Sequence, residues 1–191
     1  MAQQSGLSGF LSPEDGPVLC ALTGACYDLL RTRTAQELTI SDLVTRASVS
    51  RSSFYRHFKD KYDLINFIHL RVLEGTLLTY FEGAPLARAV CATWDVFTRH
   101  KRYFRNALTA SDMNSLGNFL FSQTYLFYQR ALEETGFRMT KEQSRVLRQY
   151  SFGSVALLSE WLLGEMEEAL EEYMQASLSG LPRFVRVQLG W

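Results

Sequence analysis

The sequence predicts an all-α protein: an N-terminal three-helix unit with a helix-turn-helix, then a larger helical bundle, about nine helices in all. Three observations predict it. Apolar residues recur at spacings of three and four through most of the chain, as on the buried stripe of a helix. No sustained period-two alternation is bounded by Asn-Gly or Asp-Gly turns, so paired strands are not expected. The prolines, at 13, 17, 85 and 182, leave two long stretches uninterrupted.

Residues 1–16 are rich in Ser, Gly and Gln and are expected to form a loose arm. From Pro17, Val18, Leu22, Cys26, Leu29 and Leu30 share one face of a first helix. Thr39 is a good N-cap for a short second helix, with Asp42 in its first turn and Ile40, Leu43, Val44 and Ala47 inside. Ser48-Val49-Ser50 breaks the pattern, and Ser50 can cap a third helix over 51–57. Asp60 can cap a fourth, running through Leu64, Ile65, Ile68 and Val72 to about Tyr80.

The helix-turn-helix unit is therefore expected over 17–62 and the bundle over 63–180. The bundle's further helices are expected at 84–100, 103–108, 112–132, 140–163 and 166–178. Thr140 and Gln143 form a capping box for the fourth of these. Residues 119–128 hold seven apolar or aromatic side chains in ten, which predicts a helix buried on all sides. The tail, 181–191, is apolar and basic and has no assigned role.

The chain has 191 residues, 47% of them hydrophobic, enough for a sizeable core in one domain or two small ones. No run of 18 apolar residues occurs, so no membrane association is expected. Residues 1–16 have no positively charged leader region, which makes the cytoplasm the expected compartment. Cys20, Cys26 and Cys91 are odd in number and lack Cys-x-x-Cys spacing; they are expected to be free, small buried hydrophobes. His57, His69 and His100 share no metal-ligand spacing, and neither a Gly-rich phosphate loop nor a nucleophile elbow occurs. No catalytic residue, metal or cofactor is expected, and an enzyme is not.

Lys plus Arg and Asp plus Glu each number 20, so any argument for a polyanionic partner must be local. Residues 46–61 supply it: Arg46, Arg51, Arg56, Lys59 and Lys61 against Asp60 alone, with His57 as a further donor. That is the footprint of a DNA-reading helix, although a merely solvated basic face gives the same count. The spacing adds to the charge. Phe54 and Phe58, at i and i+4, can pin the third helix to the first, which leaves Arg51, Ser52, Ser53 and Tyr55 outward. Arg pairs bidentately with guanine; Ser and Tyr suit phosphates and base edges. Thr39 can meet a phosphate beside free backbone N–H groups. Thr39, Ser50, Arg51, Ser52, Ser53, Tyr55, Arg56, His57 and Lys61 are the candidate contacts to double-stranded operator DNA.

The string Ala47-Ser48-Val49-Ser50-Arg51-Ser52-Ser53-Phe54-Tyr55-Arg56-His57-Phe58-Lys59-Asp60-Lys61 resembles the DNA-binding signature of TetR-family transcriptional regulators. That signature reads roughly A-G-V-S-x-x-T-[FL]-Y-x-[HY]-F-x-[DNS]-K, and the resemblance covers residues 18–65. It implies a TetR-like fold and a homodimer, most often a repressor released by an effector. It further implies Arg51, Ser52 and Ser53 at bases or flanking phosphates, and Tyr55, His57, Lys61 and Thr39 at the DNA backbone. Ser48 stands where the family has a turn glycine, and Ser53 where it has threonine. A serine at positive φ costs up to about 1 kcal/mol.

Tyr103–Leu108 and Phe152–Gly164 resemble the second domain of the DhaS-like branch, some of whose members act through a protein partner. Ala169-Leu170-Glu171-Glu172 stands where that branch has Ser-Pro-Glu-Glu. A small apolar effector and a protein partner are both implied alternatives for the second half. Leu147, Tyr150, Ser154, Leu158 and Trp161, at 0, +3, +7, +11 and +14, fit a dimer seam and equally fit packing within one chain. Trp94, Phe97, Phe119 and Tyr125 are candidate walls of an effector cavity, with Gln123 or Asn118 as polar fixers; simple core packing is the alternative at each. Six glutamates between 160 and 172, with no Lys or Arg, should lie away from DNA. Arg99, His100, Lys101, Arg102 and Arg105 form a second basic cluster, either a solvated loop or a surface for an anionic ligand or partner.

Overall fold

The computed structural model of the chain describes residues 15–110, 115–164 and 170–190. Among them are ten α-helices, one 3-10 helix and no strand. The chain is all-α, with one helix more than the spacing predicts.

Helices α1 (Gly16–Leu30), α2 (Ile40–Ala47) and α3 (Arg51–His57) close over Leu22, Cys26, Leu30, Leu43 and Phe54, all buried. A capping box opens α2. The Thr39 hydroxyl accepts from the Asp42 N–H at 3.1 Å, and the Asp42 carboxylate accepts from the Thr39 N–H at 3.1 Å. The helix ends in a tight left-handed turn, where the Val49 N–H donates to the Val44 carbonyl at 3.0 Å. Ser48 occupies that turn at φ 55° and ψ 40° and is the one non-glycine at positive φ among the described residues. The turn has not changed to suit the serine; the serine has adopted the glycine conformation.

Asp60 caps α4 (Lys61–Glu74), accepting from the Tyr62 and Asp63 N–H groups at 2.8 Å each. The expected boundary at 62/63 falls within the first turn of this helix, not in a linker. Instead of reaching Tyr80, α4 stops at Gly75, a weak helix former. Thr76 then leaves the helical region at φ −133° and ψ −91°, and a tighter 3-10 helix spans Leu77–Glu82. The Thr76 hydroxyl donates to the Val72 carbonyl at 2.7 Å and lies 3.1 Å from the Thr93 hydroxyl of α5, where the break packs.

The bundle comprises α5 (Leu86–Arg99), α6 (Lys101–Ala107), α7 (Leu116–Glu134), α8 (Lys141–Leu163), α9 (Leu170–Ser179) and α10 (Arg183–Leu189). The expected starts at 112 and 166, half of the acidic run's glutamates and the first fourteen residues lie outside the described residues. Three expectations change. The tail is a helix: Leu181 and Val185 are buried, and Phe184 stacks on Phe137 at 6.0 Å. Asp15 and Gly16 are not arm, because Asp15 is buried against the Arg71 guanidinium and Gly16 opens α1. Helix α7 is not buried all round, since Leu126 is exposed. The cysteine expectation also changes: Cys26 is buried, but Cys20 and Cys91 are exposed; all three are free.

Helices α1 and α6 are tied directly. The Asn106 amide donates to the Leu30 carbonyl at 2.7 Å, and the Ala35 N–H donates to the Asn106 carbonyl at 2.9 Å. Among the described residues, no helix is long and apolar enough to cross a membrane. The strained turn yields a test: Ser48→Gly should raise the unfolding free energy by about 0.5–1 kcal/mol. A higher urea midpoint at unchanged m-value is the expected readout, and a lower midpoint would contradict the strain argument.

Candidate functional site

Helix α3 is only seven residues long and depends on its anchors. Phe54 is fully buried and meets Phe58 at 5.7 Å, and Phe58 in turn meets Phe67 of α4 at 5.4 Å. Both inward aromatics therefore lie on one side, and the opposite edge faces solvent. Arg51, Ser52, Tyr55, Arg56 and His57 are exposed there, with Tyr55 at 56% although it is a large aromatic.

The hydroxyls near the start of α3 are mutually engaged. Ser50 Oγ accepts from the Ser53 N–H at 3.0 Å and lies 2.8 Å from Ser52 Oγ and 2.9 Å from Ser53 Oγ. Arg56 Nη2 donates to Ser53 Oγ at 3.0 Å, which lays that guanidinium along the helix. Thr39 Oγ1 donates to Asp42 Oδ2 at 2.6 Å, so its hydroxyl serves the α2 cap. The cap hydrogen bonds hold the Asp42 carboxyl below the usual carboxylate range, with Arg33 at 3.2 Å as a smaller cause.

Ion pairing sorts the basic residues. Arg46 pairs with Asp28 at 2.6 Å and Arg33 with Asp42. Arg51, His57 and Lys59 have no salt bridge among the described residues. Lys61 is placed otherwise than the resemblance implies. Its ammonium donates to the Gln36 carbonyl at 3.1 Å and the Leu38 carbonyl at 2.7 Å, pinning the α1–α2 loop, and lies 5.1 Å above the Tyr62 ring. Lys59, exposed in the link to α4, joins the outward cations; it figured in the charge count but not among the candidate contacts.

Two family profiles match this chain. Residues 24–67 match the one described as bacterial regulatory proteins, tetR family, and residues 88–178 one described as transcriptional regulator C-terminal region. The chain belongs to the TetR family of transcriptional regulators. Its N-terminal domain is the family's DNA-binding domain, and the first match begins inside α1 and ends inside α4. The fold is similar to a crystal structure described as a TetR-family transcriptional regulator from Syntrophomonas wolfei, at TM-score 0.58 and 14% identity. That likeness covers 91% of this chain and 95% of the other. No curated protein matches the sequence.

In the second half of the regulator, a cavity opens between α4, α5, α7, α8 and α9. It has about 690 Å³ of empty space including its mouth, of which about 90 Å³ admits the centre of a water molecule, so it is narrow. Trp94 and Phe97, two of the four expected wall residues, line it, as does Gln123. Phe119 sits behind the wall, edge-on to His69 at 5.9 Å. Tyr125 turns elsewhere: its hydroxyl pairs with Ser144 Oγ at 2.8 Å, and Arg148 lies 5.1 Å over its ring.

The proposed seam on α8 faces inward. Leu147, Leu158 and Trp161 are buried within the chain, while Tyr150, Ser154 and Leu158 line the cavity. Trp161 meets Trp94 at 6.4 Å. The opposite face of α8, with Gln149, Phe152, Gly153, Ala156, Glu160 and Leu163, is exposed. Hydrophobic periodicity finds a buried stripe without saying what buries it.

His69 is the residue the spacing missed. It lies on α4 four residues after Ile65, on the inward stripe, a signal readable in the sequence as burial. Burial alone pushes its imidazole pKa down to about 3. Above pH 6.5 it is neutral both folded and unfolded, with no cost. As pH falls from 6.5 toward 3, the unfolded chain takes up a proton that the folded chain refuses, and stability is lost. Between pH 8 and pH 5 this group should remove about 2 kcal/mol. Urea titrations at both pH values should show that loss in the wild type and a matching reduction of it in His69→Phe.

Proposed function

We propose that this regulator is a homodimeric repressor of the cytoplasm that holds operator DNA with two copies of α3 and lets go when a small molecule fills the bundle cavity. One observation carries the reading. A short helix, pinned from behind by Phe54 and Phe58, presents Arg51, Tyr55 and His57 outward with no carboxylate neutralising them among the described residues. Arg51 is suited to a guanine edge, Tyr55 to a phosphate or base edge, and His57 and Lys59 to the phosphates. Thr39, Ser50, Ser52, Ser53 and Arg56 frame these groups and can re-aim hydroxyls or guanidinium at phosphates when DNA arrives.

Helix α4 supports the coupling. Its N-terminal half carries Phe67, against which α3 rests, and its C-terminal half carries His69 and Leu73 in the cavity wall. A ligand that prefers a shifted α4 changes the reach between the two recognition helices, which successive major grooves set at about 34 Å. Operator affinity then falls by the ligand's differential affinity for the two states. The narrow, mostly apolar cavity favours this reading over the DhaS-like alternative, in which the second domain meets a protein partner.

The outward face of α8 is the better dimer surface, because the inward seam is already used. Gly153 and Ala156 let a partner helix approach closely, and Phe152, 67% exposed, offers apolar area. Ala156→Arg should convert the dimer into a folded monomer by light scattering. A dimer that survives this change would move the interface elsewhere.

Fluorescence anisotropy with the DNA upstream of the protein's own gene tests the DNA reading. Tight binding that scrambled DNA does not reproduce is expected. Arg51→Ala should cost about 1–3 kcal/mol and relax base preference, while Lys59→Ala should weaken all sequences alike. Equal affinity for native and scrambled DNA would defeat the proposal.

A further inference from the structure

The wall of the bundle cavity contains a polar ring that the protein leaves unsatisfied. His69 has no exposed surface, and neither Nδ1 nor Nε2 has a hydrogen-bond partner among the described residues. Its neighbours are aromatic: Phe97 stacks on it at 5.7 Å, and Phe104 and Phe119 meet it edge-on at 5.9 Å each. An aromatic or aliphatic side chain would fill the same position without burying unpaired nitrogens.

Two other hydroxyls of the wall are already committed to the backbone, and Gln123 adds a neutral amide to the lining. The Thr93 hydroxyl donates to the Ala89 carbonyl at 2.9 Å, and the Ser154 hydroxyl to the Tyr150 carbonyl at 2.9 Å. No Asp, Glu, Lys or Arg lines the cavity among the described residues. A charged head would therefore be buried without a counter-charge. A neutral imidazole offers one donor and one acceptor. A hydroxyl, which both donates and accepts through one small atom, matches it in either tautomer. The narrow, mostly apolar space suits a slender chain behind that hydroxyl.

We propose that the cavity binds an uncharged, slender, hydrocarbon-rich alcohol whose hydroxyl hydrogen-bonds the His69 imidazole. This rests on the reading of the cavity as the effector site. It names the ligand class and makes His69 the residue that selects it. Trp94 and Phe97 bound the space beside it, and Leu158 supplies apolar wall from α8.

Calorimetric titration of the full-length protein at pH 7.5 tests it, with 1-octanol, 1-fluorooctane, octanoate and octyltrimethylammonium as probes. The alcohol should bind about tenfold tighter than the fluoroalkane, a difference typical of one buried hydrogen bond. Both ions should bind more weakly than the alcohol. In His69→Phe, and in His69→Leu should the first fail to fold, the two neutral probes should bind alike. Equal binding of both by the wild type, or a preference that survives the substitutions, overturns the role of His69. An ion binding tightest overturns the ligand class. If no probe binds the wild type, the effector-cavity reading falls and the proposal with it.

Discussion

Phe58 resting on Phe67 is the contact that seats the short helix α3 on α4. The rings meet at 5.4 Å, one from the end of the recognition helix and one from α4. A helix of seven residues cannot hold itself in water, because nucleation consumes most of what so few hydrogen bonds return. The position of α3 is therefore the position of Phe54 and Phe58 in the core beneath it. Whatever moves α4 moves that seat. The same helix ends in the cavity wall, so one element borders both α3 and the cavity.

Around that seat, most polar side chains do local work first. Thr39, Ser50 and Asp60 close helix ends, and Lys61 holds two carbonyls of the α1–α2 loop. Signature residues of this kind define the shape of the helix-turn-helix itself. Arg51, Tyr55, His57 and Lys59 differ from them. They are exposed, and their removal leaves the fold's own bonding intact.

Helix α8 shows where linear pattern stops being informative. Leu147, Leu158 and Trp161 repeat with a spacing that serves a partner helix and an intramolecular neighbour equally well. Here the chain's own α5, α7 and α9 take that face, and the small and apolar residues on the reverse are left outward. His69 shows the converse. Its place on the inward stripe of α4 was readable as burial, but the lack of a hydrogen-bond partner among the described residues was not, because partners come from distant segments. Tyr125 and Phe119 miss the cavity for a similar reason: composition marks them as apolar, while the rotation of α7 sets which way each one points.

The sequence by itself determined the helical class, the caps of α2, α3, α4 and α8, and the outward edge of α3. Each of these is a local matter of spacing, capping chemistry or charge within about one helical turn. Only the tertiary structure decided that the tail docks as α10, that α4 breaks at Thr76, which face of α8 is exposed, and that His69 is buried without a hydrogen-bond partner among the described residues. Those outcomes depend on which distant surfaces meet, and burial against a remote helix leaves no mark on neighbouring residues.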